Sequence, residues 1–162
     1  MEYPKRKPNR LKAYDYSQNG AYFVTVCTKD RKNLFWNVGE AISLPKNNIP
    51  LSEYGKIAEH VIRSISKHYI GVEVSQYVIM PNHIHFILIL KGDDGQMISA
   101  PTVSTIIGQA KRYISKQIGL PIWQKSFHDR IIRNEKEYQK IWEYIETNPL
   151  KWEEDCFYRQ ES

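Results

Sequence analysis

Apolar positions along this chain change their period several times, and each change marks an element. Residues 21–28, AYFVTVCT, alternate and are rich in β-branched and aromatic side chains, which predicts a first strand. Residues 29–50 form a polar connection. Ser52 then stands at a helix N-cap position, and Tyr54, Ile57, Ala58, Val61 and Ile65 recur behind it at helical spacing. Gly71 breaks the pattern. Residues 72–80 read as a second strand, Pro81-Asn82 as a turn, and HIHFILIL as a third, buried strand ended by Gly92-Asp93-Asp94-Gly95. A second helix is predicted over 103–118, with Val103, Ile106, Ile107, Ala110, Ile114 and Ile118 as its stripe and Gly119 and Pro121 as its stop. Residues 126–132 give a fourth strand. Asn134, with Glu137 three residues on, has capping-box spacing and opens a third helix from Glu135 to about Asn148, halted by Pro149.

The order β-α-β-β-α-β plus a C-terminal helix predicts an α+β fold of the ferredoxin-like (split βαβ) kind. An antiparallel sheet packs against two helices, the third strand is central, and one sheet face is left for the C-terminal helix. At 162 residues with 41% hydrophobic content, one domain with its own core is expected over 1–162. Residues 1–12 are basic and proline-punctuated and read as an arm. The net charge of +5 favours an anionic partner. Cys27 and Cys156 form no CxxC pair, so neither a disulfide framework nor a cysteine zinc site is indicated. The longest apolar run, 84–90, is far too short to span a bilayer, and the basic N-terminus has no apolar stretch behind it. A cytoplasmic protein with no membrane partner is the expectation.

The third strand carries the candidate chemistry. Residues two apart on a strand share a face, so His83 and His85 stand side by side, roughly 7 Å apart at Cα, together with Ile87 and Ile89. Two metal-capable imidazoles occupy positions that apolar residues could have filled. A divalent ion needs a further ligand, and the third helix offers one. Tyr144 and Asn148 lie four apart on the flank of the stripe formed by Tyr138, Ile141, Trp142 and Ile145. Asn148 can lend a carbonyl oxygen and Tyr144 a phenolic nucleophile, whereas Tyr138 falls inside the stripe and reads as core.

PNHIHF, followed about sixty residues later by YIETNP, resembles the single-tyrosine HUH transposases (histidine, hydrophobic, histidine). Within these it is most similar to the REP-associated tyrosine transposases and their insertion-sequence relatives. The similarity covers nearly the whole chain, including AYFVTVCTKDRKNLF, YVIMPNHIHFILIL and WQKSFHDRIIRNEKEYQKIWEYIETNPLKW. The resemblance implies that His83 and His85 are metal ligands, Asn148 the third ligand and Tyr144 the nucleophile. It implies cleavage and rejoining of hairpin-bearing single-stranded DNA, a REP-like or insertion-sequence end, through a 5′-phosphotyrosine link, and it makes a homodimer a possibility. Two histidines and an amide oxygen leave positions open for water and substrate, which fits Mg²⁺ or Mn²⁺ better than closed structural zinc. Lys5, Arg6, Lys7, Arg10, Lys111, Arg112 and Lys116 are candidate phosphate contacts, and Trp123 a candidate stacking surface.

Two other readings share these elements. A non-catalytic, domesticated DNA- or RNA-binding module of the same fold would stack bases on aromatic residues of the open sheet face, where this chain has histidines. A metal-dependent hydrolase would use an activated water and leave no covalent adduct.

Overall fold

A computed structural model describes residues 20–37, 49–91 and 102–158. The basic arm expected at 1–12 and the loop at 92–95 lie outside the described residues. Four strands, β1 (Gly20–Cys27), β2 (Val72–Ile79), β3 (His83–Leu90) and β4 (His128–Ile132), form one sheet in the order β2-β3-β1-β4. Every neighbouring pair is antiparallel. This is the ferredoxin-like arrangement, with β3 and β1 central.

The face of β3 formed by Ile84, Phe86 and Leu88 meets Tyr22, Val24 and Val26 of β1, all at most 3% exposed. Helices α1 (Glu53–His68) and α2 (Val103–Ile118) close this side with Ala58, Val61, Ile62, Ile106, Ile107 and Ile114. Burying each such aliphatic side chain contributes about 1.5–3 kcal/mol, so this layer carries most of the stability. Ser52 caps α1: its Oγ accepts from Gly55 N (3.1 Å) and donates to Leu34 O (2.6 Å). Gly55 is required there, because a Cβ would lie 2.2 Å from the Phe35 carbonyl oxygen. Gly119 ends α2 in the left-handed region (φ 87°) that favours glycine. Among the described residues no helix is long and apolar enough to cross a membrane.

The other face of the sheet carries His83 and His85, with their register partners Cys27 and Thr25 on β1. It is covered by α3 (Glu135–Thr147), then by a 3-10 segment, Asn148–Glu154, into which the chain tightens because Pro149 has no N–H to continue the helix. Asn134 caps α3 by accepting from Glu137 N (2.8 Å). Glu137 reaches back to the N–H of Arg133 (2.9 Å), one residue before the position a capping box uses. Two hydrogen bonds tie α3 to β2: Gln76 Nε2 to Glu146 (2.8 Å) and Tyr138 Oη to Ser75 Oγ (3.1 Å). Consecutive strand residues normally face opposite ways; Ser75 and Gln76 both reach α3 because β2 is bulged between Val74 and Gln76.

The sheet face left free by α1 and α2 is therefore closed. His83 is 0% and His85 2% exposed, so the histidine pair sits in a lined interior and not on an open surface.

Candidate metal centre

The two histidines present matching chemistry. His83 Nδ1 lies 2.8 Å from Asn82 Oδ1, and His85 Nδ1 lies 2.8 Å from Thr25 Oγ1. Their Nε2 atoms are buried and have no hydrogen-bond partner. A third buried atom without a partner is Asn148 Oδ1. The Asn148 amide is oriented by its other end, since Nδ2 donates to Asp155 Oδ2 (2.8 Å) and a carboxylate only accepts. Leaving such atoms unpaired inside a protein costs about 1–3 kcal/mol each. A bound cation would remove that cost by taking the lone pairs of all three atoms.

His83, His85 and Asp155 place one ligand atom each within 4.8 Å of one another. Asp155 Oδ2 stands 3.7 Å from His83 Nε2, and its side chain is fully buried. This carboxylate was not among the residues singled out by sequence. It is one of three successive acidic residues, Glu153, Glu154 and Asp155, and nothing in the local pattern separates it from its neighbours. Two imidazoles, one carboxylate and one amide oxygen form a donor set that fits a divalent ion. Cys27, across from His83, does not extend it as a thiolate: burial, then the nearby Cys156 and Asp155, push its pKa up to about 12.

Burial also keeps both imidazoles neutral, the form that binds metal. It holds His83 well below its ordinary value, with His85 and Arg31 adding to the effect and Asn148 opposing it. It brings His85 down to about 3. In the metal-free protein the unfolded chain protonates these rings near pH 6.5 while the folded chain does not. The unfolded state then binds more protons, so stability falls as pH drops below about 6.5. The melting temperature of chelator-treated protein should decline between pH 7 and pH 5, and His85→Asn should flatten that decline. An unchanged melting temperature over this range would contradict the assignment.

Tyr144 packs against the site from α3. Its ring centroid is 5.4 Å from that of His85 and 6.1 Å from that of Phe23, and the residue is 41% exposed. Burial, then Asp155 and Cys156, raise its pKa well above the usual phenol value, while Asn148 acts to lower it. Tyr138 lies elsewhere on the helix, with its hydroxyl held by Ser75.

The candidate DNA contacts are dispersed. Lys5, Arg6, Lys7 and Arg10 lie outside the described residues. Lys111 donates to the carbonyls of Gln124 (2.7 Å) and Ser126 (3.4 Å), which makes it a clasp between α2 and the following loop. Trp123 is half-buried, donates to Lys111 O (3.0 Å) and packs 5.6 Å from Phe35, so its ring is a strut more than a platform. Arg112 and Lys116 are exposed, but on α2, across the sheet from the histidines.

No protein-family model matches the chain. An uncharacterised protein of Haemophilus influenzae is 30% identical to it over 94% of this chain and 93% of its own length. The REP-associated tyrosine transposase of Escherichia coli is 27% identical over 84% of this chain and 70% of that protein. A solved structure of a REP-associated tyrosine transposase bound to a REP hairpin is similar with a TM-score of 0.59 and 25% identity, over 93% of this chain and 74% of that one. These relatives cover most of both chains, so the chain is similar to the REP-associated tyrosine transposases in sequence and in fold.

Proposed function

We propose that this protein is a transposase that cleaves and rejoins hairpin-bearing single-stranded DNA through a 5′-phosphotyrosine at Tyr144, with a divalent ion held by His83, His85, Asn148 and Asp155. The observation that carries the proposal is the set of three buried, unpartnered atoms, His83 Nε2, His85 Nε2 and Asn148 Oδ1, with the Tyr144 ring against His85. When bound, the ion supplies Lewis-acid polarisation of the phosphodiester and fixes its orientation. Mn²⁺ and Mg²⁺ are the ions to test, and the two imidazole donors favour Mn²⁺.

Tyr144 Oη attacks phosphorus. The tyrosyl O–P bond forms, the bond from phosphorus to the 3′-oxygen breaks, and that oxygen leaves as a 3′-hydroxyl once protonated. The reverse attack by a 3′-hydroxyl reseals a strand with no outside energy source, because one phosphodiester is exchanged for another. In the free protein Tyr144 is a neutral phenol, so its proton must be removed at or before attack. The Asn148 amide favours the phenolate against burial and the Asp155 charge. Tyr144 packs against the His85 of its own chain, which supports attack within one chain. A base-stacking module fits less well, since α3 and the 3-10 segment occupy the sheet face that such a module leaves to nucleic acid.

Native protein incubated with Mn²⁺ and a hairpin-bearing single strand should yield a protein–DNA species that survives denaturing electrophoresis. Cleavage with no such species points to a hydrolase, and binding without cleavage to a non-catalytic module.

A further inference from the structure

We propose that Asn82 is a positioning residue of the metal centre, which sets the tautomer of His83 and joins it to Asp155 through one amide. The inference rests on the metal-dependent reading above. Asn82 is 0% exposed, so its polar atoms must find partners within the protein. Its Nδ2 lies 2.6 Å from Phe157 O and 3.3 Å from Arg31 O. Carbonyl oxygens only accept, so this end of the side chain is the NH₂ group, and Oδ1 must be the atom 2.8 Å from His83 Nδ1. An amide oxygen also only accepts. The proton of the neutral imidazole is therefore on Nδ1, and the lone pair is on Nε2, the unpartnered atom beside Asp155. Two backbone carbonyls thus decide which nitrogen of His83 can bind metal. His85 is not determined in this way, because Thr25 Oγ1 can either donate or accept.

The same amide extends to the carboxylate. Phe157 is held at both backbone groups: its carbonyl accepts from Asn82, and its N–H donates to Asp155 Oδ1 (2.8 Å). Asp155 Oδ2 accepts from Asn148. A continuous run of hydrogen bonds joins His83, Asn82, Phe157, Asp155 and Asn148, linking three of the four proposed ligands. Groups that orient metal ligands in this way raise metal affinity by about 10–100-fold. The sequence pattern assigned Asn82 to a turn, and it does form one; the buried side chain carries the second role.

The test has two readouts. Nitrogen-15 NMR of the metal-free native protein should show His83 protonated at Nδ1, the His83 signals being identified by their loss in His83→Asn. Asn82→Ala should bind Mn²⁺ about 10–100-fold more weakly by calorimetry, and its His83 should become a mixture of tautomers, with circular dichroism reporting the fold. A native His83 protonated at Nε2 overturns the proposal, as does a folded Asn82→Ala with unchanged Mn²⁺ affinity. If Asn82→Ala does not fold, the native tautomer alone decides. Native protein that binds no Mn²⁺ would instead refute the metal-dependent reading itself.

Discussion

Tyr144→Phe is expected to reduce the covalent protein–DNA adduct to background while leaving DNA binding in place. The substitution removes one oxygen from a side chain that is 41% exposed, so its effect on stability should stay within about 0.5 kcal/mol. The ring remains to pack on Phe23 and His85, so the loss isolates the nucleophile from the packing. Tyr138→Phe is the matched control. It breaks a part-buried hydrogen bond to Ser75 and should cost about 1 kcal/mol, yet leave the adduct. An adduct that persists in Tyr144→Phe and disappears in Tyr138→Phe would move the nucleophile about 1.7 turns along α3 and leave the reaction class standing. Peptide mapping of the DNA to neither tyrosine would remove α3 from the chemistry.

His83→Asn and His85→Asn should abolish nicking and weaken Mn²⁺ binding by more than the ~10–100-fold that an orienting residue contributes. Asparagine is the informative replacement because both histidines are buried. Alanine would empty the site and leave Asn82 or Thr25 without a partner, so lost activity would be confounded with lost packing. An asparagine Nδ2 sits near the place of the imidazole Nδ1 and can still donate to Asn82, while nothing replaces Nε2. The expected stability cost is about 1–2 kcal/mol, which leaves a folded protein for calorimetry. Full nicking by either variant would refute the metal assignment.

Much of this molecule was legible in its pattern of residues. The helical period over 103–118 marks α2 residue for residue, and Ser52, Asn134 and Gly119 cap where their chemistry predicts. Strand ends were less legible. β4 begins at His128, two residues later than its composition suggests, because a strand ends where a neighbour stops pairing and not where β-prone residues stop. The bulge in β2 was also unreadable, although the bonds from Ser75 and Gln76 to α3 depend on it.

The site divides in the same way. His83 and His85 are two apart on one strand, and Tyr144 stands four before Asn148, the helical C-cap of α3, so local periodicity is enough to pair each set. Asp155 and the inner role of Asn82 follow no local rule. Asp155 reaches His83, and the Phe157 carbonyl reaches the Asn82 amide, because the segment after Pro149 folds back over β3. The sequence by itself determined the order of elements, the shared face of the histidines and the flank position of Tyr144, because those are consequences of backbone period. Only the tertiary structure decided that the histidines are buried and neutral, that a carboxylate joins them, and which ring nitrogen of His83 is free. Burial, charge and hydrogen-bond direction depend on atoms that are distant in the chain and meet only when it folds.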